Sequence, residues 1–142
     1  MSLSRDAPDV ILLKCNLSAL MCVLRSLRIS LVEVRYVGAR GRCQPCEVSM
    51  SPRGMASPNE ARVVLQRTAA NAGQTPVTLL EDEVGLAEGL QYFTLQWASL
   101  AHGHWQRGDG GRGVMRIVVA SKQATLDHDA LHIEQFHTTL TE

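Results

Sequence analysis

Only two stretches of this chain space their apolar residues as a helix does, and what lies between and after them alternates or is broken by glycine and proline. Val10, Leu13, Leu17, Leu20, Met21, Leu24 and Leu27 recur at helical intervals, which predicts an amphipathic helix over 9–28 with Asp9 as its N-cap. Leu86, Leu90, Phe93, Trp97 and Leu100 predict a second helix over 82–101. Its opening acidic residues suit the positive end of a helix dipole, and Gly103 is a stop signal. Two such stripes must be buried against another layer.

The rest of the chain supplies strands. Val32, Val34 and Tyr36 alternate with Glu33 and Arg35 up to Gly38, and a second short strand follows at 47–51. Residues 51–60 read as a loop; Ala61, Val63 and Leu65 then alternate as a strand, with a short helix as the other reading. After a loop at 68–76, residues 77–80 read as a brief strand or an extended lead-in. Residues 114–119 and 124–128 form a hairpin about a turn at 120–123, and 131–138 reads as a final edge strand. The expected architecture is one α+β domain over 1–142, with 1–8 a flexible N-terminus. Two main helices pack on a mostly antiparallel sheet of about five to six strands.

Composition narrows the function classes. The chain has 142 residues, 45% of them hydrophobic and 20% charged, which suits a folded domain and not a disordered one. Fourteen basic residues balance fourteen acidic ones, so the chain has no broad electrostatic footprint for nucleic acid. Arg25, Arg28, Arg35, Arg40, Arg42, Arg53, Arg62 and Arg67 nevertheless all fall in the first half, which keeps a nucleic-acid partner open. No apolar run of about eighteen residues predicts a membrane helix. Asp6, Asp9, Lys14 and Asn16 spoil a secretory signal, so a reducing cytoplasm is the expected setting. Cys15 and Cys22, seven apart in the first helix, read as small core residues.

The densest chemistry lies at 102–113, where five of twelve residues are glycine. Such a loop is costly in conformational entropy unless its backbone shape matters. One reading is an anion site formed by exposed backbone N–H groups, although phosphate loops usually open a helix and this one follows a helix. The other is a helix-to-strand corner packed by His102 and Trp105, with Asp109 capping the turn and glycines 108, 110, 111 and 113 supplying positive φ angles or close approach. The candidate binding residues are His102, His104, Trp105, Asp109 and Arg112.

Cys43-Gln44-Pro45-Cys46 has the spacing of half a zinc site. It also reads as two free thiols in a loop, or as a redox pair that lacks the helix N-terminus such pairs use. Cys43 and Cys46 are thus the candidate metal ligands, and zinc is the cofactor their spacing would suit. His128, His132 and His137, near Asp127, Asp129 and Glu134, read as surface histidines beside carboxylates. No nucleophile elbow accompanies them.

The motif order resembles an uncharacterised bacterial domain family found on plasmids, integrated elements and phages, for which no activity is established. Its members carry an N-terminal helix, a strand ending in Tyr/Phe-Asp-Gly-x-Gly-Asp-Ser-Gly, then a helix ending in His-Gly-Gly-Trp followed by Asp-Gly-x-x-Gly and a hairpin. This chain has Tyr36-Val37-Gly38-Ala39-Arg40-Gly41 at the first place, His102-Gly103-His104-Trp105 at the second, and then Asp109-Gly110-Gly111-Arg112-Gly113. The likeness covers residues 14–140, and Val37 and Arg40-Gly41-Arg42 replace the acidic positions of the first loop. It implies an accessory protein of a mobile element acting through another macromolecule.

The expected function is therefore a small non-enzymatic binding protein, cytoplasmic and without a cofactor, whose partner is a protein or a second copy. The alternatives are a zinc-supported domain using Cys43 and Cys46, and a hydrolase or transferase using His102, His104 and Asp109.

Overall fold

The structure, a computed structural model, describes residues 8–39, 42–43, 46–51, 61–68, 79–102, 110–130 and 135–141. In chain order its elements are α1 (Pro8–Ser26), β1 (Leu31–Ala39), β2 (Arg42–Cys43), β3 (Glu47–Ser51), β4 (Arg62–Thr68), β5 (Leu79–Gly85), α2 (Leu86–His102), β6 (Gly111–Val118), β7 (Gln123–Ala130) and β8 (Gln135–Thr141). Two helices cover a mostly antiparallel sheet, so the α+β expectation holds. The segments predicted at 52–60 and 69–78, and residues 1–7, lie outside the described residues.

Helix α1 buries Leu13, Leu17, Leu20, Met21 and Leu24 completely. It begins at Pro8, whose fixed φ suits a first helical turn, so Asp9 lies inside the helix instead of capping it. It ends earlier than its apolar stripe, because Arg28 takes a left-handed φ of 59°. There the Arg28 N–H donates to the Arg25 carbonyl and the Ile29 N–H reaches back to that of Leu24, the paired bonds of a Schellman stop. Buried Leu24 and Ile29 supply the apolar contact that accompanies such an ending. Cys15 and Cys22 are exposed, which corrects their assignment to the core. Their seven-residue spacing does keep them on one face, but that face is opposite the leucine stripe.

Helix α2 buries Leu86, Leu90, Phe93 and Trp97, as its stripe predicts, but it starts at Leu86 and not at Asp82. Glu81, Asp82 and Glu83 belong to β5. Two of these charges are answered across the strand pair by β4: Arg62 lies 3.7 Å from Glu83, and Arg67 pairs with Asp82. Glu88 is the acidic residue in the first helical turn. The Leu86 N–H donates to the Ala61 carbonyl at 2.9 Å, which ties the start of α2 to the chain just before β4.

The main sheet runs β2-β1-β6-β7-β8, with β3 also paired to β1, and every pair is antiparallel. Side chains alternate between its faces. Val32, Val34 and Tyr36, Met115 and Ile117, Ala124, Leu126 and His128, and Leu140 are buried on the helix side. β6 begins at Gly111, three residues before the predicted strand, and β7 runs on to Ala130. Of the strand predicted at 131–138, residues 131–134 lie outside the described residues; the described strand is Gln135–Thr141, which runs past 138 because β8 pairs along β7 to Thr141.

β4 and β5 form a separate two-stranded sheet beside the helices, with Val63 and Leu65 in the common core. The joint is Asn16 of α1, almost wholly buried. The Gln66 N–H donates to Asn16 Oδ1 at 2.7 Å, and Asn16 Nδ2 donates to the Gln66 carbonyl at 2.9 Å. The same Nδ2 donates to Gln96 Oε1 of α2 at 3.2 Å. One amide thus serves both backbone groups of a strand residue that lies between α1 and β5.

Asn16→Leu keeps the bulk but strands the Gln66 N–H and carbonyl, and is expected to cost about 2–4 kcal/mol of unfolding free energy. Urea denaturation reads this directly; an unchanged midpoint would remove Asn16 as the joint.

Candidate functional site

At one end of the sheet, β1, β6 and β7 bring Tyr36, Gly113 and His128 into one cross-strand row. Antiparallel neighbours in such a row point to the same face, here the buried one. Because Gly113 has no side chain, the residues on either side meet across it. Tyr36 Oη and His128 Nδ1 are hydrogen-bonded at 2.7 Å, and the two rings lie 5.8 Å apart and 17° from parallel. Both residues are almost fully buried. A Cβ at Gly113 would overlap Tyr36 Oη and sit 2.6 Å from the Asp127 carbonyl oxygen. A Cβ at Gly111 would come within 2.7 Å of the His128 ring. These two glycines therefore serve close approach, whereas Gly110 takes a left-handed φ of 78°.

His128 is thus not a surface histidine, contrary to its reading beside Asp127 and Asp129. It shares the inner face of β7 with Ala124 and Leu126, and the missing side chain at Gly113 makes room for it. His137 does lie exposed beside a carboxylate, paired with Asp127. His132 lies outside the described residues.

The opposite face of the same strands is polar. Glu47, Arg35, Val114, Asp127 and His137 form one row across it, and Val37, Arg112 and Asp129 form the next. Glu33 gathers Arg35 at 2.7 Å and Arg116 at 3.1 Å, and hydrogen bonds from Arg35 and then Arg116 hold its carboxyl below the usual glutamate value. Arg116 also approaches Asp127 at 3.7 Å.

Over this face opens a cleft of about 470 Å³. Val37 and Val114 form its apolar floor, with Arg35, Arg112, Glu47, Asp127 and Asp129 around them. Glu33 engages Arg35, and Arg116 and His137 engage Asp127. Arg112, Asp129 and Glu47 make no ion pair among the described residues. Among the described residues, the lining contains no serine, threonine or cysteine. Chemically, the cleft can desolvate an apolar group on its valines while meeting charges of both signs.

Of the candidate binding and metal residues, Arg112 is the one that the described structure places in this cleft. His102 ends α2, with its side chain outside the described part; His104, Trp105 and Asp109 lie outside the described residues altogether. The proposed convergence of His102, His104 and Asp109 therefore falls outside what is described. Cys43 lies in β2 opposite Gly38, its side chain likewise outside, and Cys46 is half-buried just before β3. Among the described residues, no group of three or more His, Cys, Asp or Glu side chains is placed to hold a metal ion. Sequence reasoning missed the Tyr36–His128 pair. Its signal was Gly111 and Gly113 two apart ahead of an apolar strand, a spacing that leaves one face of that strand bare.

No protein-family profile, no curated protein and no solved structure matches the chain.

Gly113→Ala is expected to destabilise the protein by about 3 kcal/mol or more, because one of the atoms it meets is backbone on the next strand and cannot swing aside. Thermal unfolding measures the effect. A loss of less than about 1 kcal/mol, the cost of an ordinary surface change in a strand, would contradict the close approach.

Proposed function

We propose that this is a small non-enzymatic binding protein that engages a protein partner through the sheet face opposite α1 and α2, with Arg112 among the charged side chains that ring the contact. One observation carries the reading: Arg112, Asp129 and Glu47 surround an apolar floor in a cleft of about 470 Å³ without ion partners of their own among the described residues. An apolar centre with charged groups at its rim, arginine among them, is how protein interfaces combine burial with selectivity.

The charge pattern favours a protein over nucleic acid. On this face Arg35, Arg112 and Arg116 stand among Glu33, Glu47, Asp127 and Asp129, a mixture that repels a polyphosphate as much as it attracts one. The described arginines of the first half are spread over the end of α1, β1, β2 and β4, and Arg35, Arg62 and Arg67 are already paired with carboxylates. A protein segment carrying both signs, with an acidic side chain for Arg112 and a basic one for Asp129 or Glu47, meets the cleft better.

The resemblance supplies a setting, an accessory protein of a bacterial mobile element working in the cytoplasm, and this reading requires no cofactor. No helix among the described residues is long and apolar enough to cross a membrane.

The test is affinity capture from lysate of the source organism with wild-type protein, Arg112→Glu, and Lys122→Glu as an equal charge change at the distant turn. A protein retained by wild type and Lys122→Glu, and reduced about tenfold or more by Arg112→Glu, is the expected result. Capture that ignores Arg112 would overturn the reading.

A further inference from the structure

The two edges of the main sheet are built differently. On one side the edge is broken into β2 and β3, and Glu47 stands on it, features that blunt an edge against further pairing. On the other side β8 is unbroken for seven residues, Gln-Phe-His-Thr-Thr-Leu-Thr, with no Lys, Arg, Asp, Glu or Pro. It pairs with β7 on one side and with no described strand on the other. Such an edge offers a row of backbone donors and acceptors, and its own sequence carries none of the charges or prolines that refuse a neighbour.

We infer that β8 joins a second copy of this chain, antiparallel, about a two-fold axis through Thr138, so that one sheet runs through both molecules. The inference is separate from the Arg112 cleft, which lies on the face of the sheet and not at its edge.

Geometry selects the register. In an antiparallel pair, directly opposed residues share a face, so a two-fold axis perpendicular to the sheet must pass at a residue and not between two. Of the positions along β8, Thr138 is the one that pairs all seven residues. Thr138 then meets Thr138 of the second copy. His137 faces the second copy's Thr139, Phe136 faces Leu140, and Gln135 faces Thr141. Every polar position meets a polar one, every apolar position an apolar one, and no like charges oppose. The strand is thus chemically symmetric about its own midpoint, a property that suits a copy of itself better than an unrelated strand.

The outer-face row also continues without a charge conflict. His137 is engaged by Asp127 of its own chain, and its Nε2 lies 3.4 Å from Thr139 Oγ1. The hydroxyl of Thr139 therefore already accompanies the imidazole that its symmetry mate would face.

Sedimentation equilibrium over a wide concentration range tests the inference with three proteins. For wild type, the average mass is expected to rise above the 15.6 kDa of one chain towards twice that value. His137→Lys/Thr139→Lys places lysine opposite lysine twice in the Thr138 register and is expected to weaken association by about tenfold or more. His137→Lys/Thr139→Glu places lysine opposite glutamate twice and is expected to associate at least as tightly as wild type. Each double variant changes the same two exposed positions, and thermal unfolding checks that both fold. Arg112→Glu is expected to leave the dimer unchanged while reducing partner capture about tenfold or more, which separates the two contacts. A wild-type mass that stays at one chain would overturn the inference, as would a lysine-lysine variant that associates like wild type or a lysine-glutamate variant that does not associate.

Discussion

The hydrogen bond between Tyr36 and His128, made across Gly113, sets the register on which the rest of the sheet depends. A strand slipped by one residue turns every side chain to the opposite face. Here such a slip would place Arg112 or Val114 between two buried rings, where neither fits. The absence of a side chain on the inner face at 113 therefore dictates what stands on the outer one. Arg112 must project outward, level with Val37 and Asp129, and Val114 must project outward level with Arg35 and Asp127. The cleft on the outer face follows from this close approach on the inner face.

A second constraint holds the smaller sheet. β4 and β5 share no strand pairing with the main sheet, so the helices must carry the connection. They do so by burial of Val63 and Leu65 in the common core and by the Asn16 amide, which binds the backbone of Gln66 as another strand would. A buried amide between α1, β4 and α2 is stabilising only with its partners in place, because each unpaired polar group in a core costs about 1–3 kcal/mol. The arrangement specifies position more than it adds stability. It fixes how far along α1 the strand β4 lies.

What could be read from the sequence followed how local each signal is. The leucine stripe of α1 and the Leu86–Leu90–Phe93–Trp97 stripe of α2 were plain, because helical periodicity is a property of neighbouring residues. So was the alternation of Val32, Val34 and Tyr36. Glu81, Asp82 and Glu83 misled, since acidic residues suit a helix start and also suit a strand whose partner carries Arg62 and Arg67. Cys15 and Cys22 showed the right periodicity but not which face it lay on. His128 was the largest miss. Its burial depends on a glycine fifteen residues earlier and a tyrosine ninety-two residues earlier, and neither leaves a mark near Asp127 and Asp129. Arg112 was found for a different reason than the one that matters: it was singled out as part of a glycine loop, and it belongs to a strand.

The most direct test of this account is the inner-face contact itself, measured by proton NMR as nuclear Overhauser effects. The account predicts cross-peaks from the Tyr36 ring to the Gly113 Hα protons and from His128 Hε1 to the Gly111 Hα protons, since each ring lies against the bare side of a glycine. Absence of both cross-peaks in a folded, assigned protein would contradict it, and with it the register that places Arg112 in the cleft.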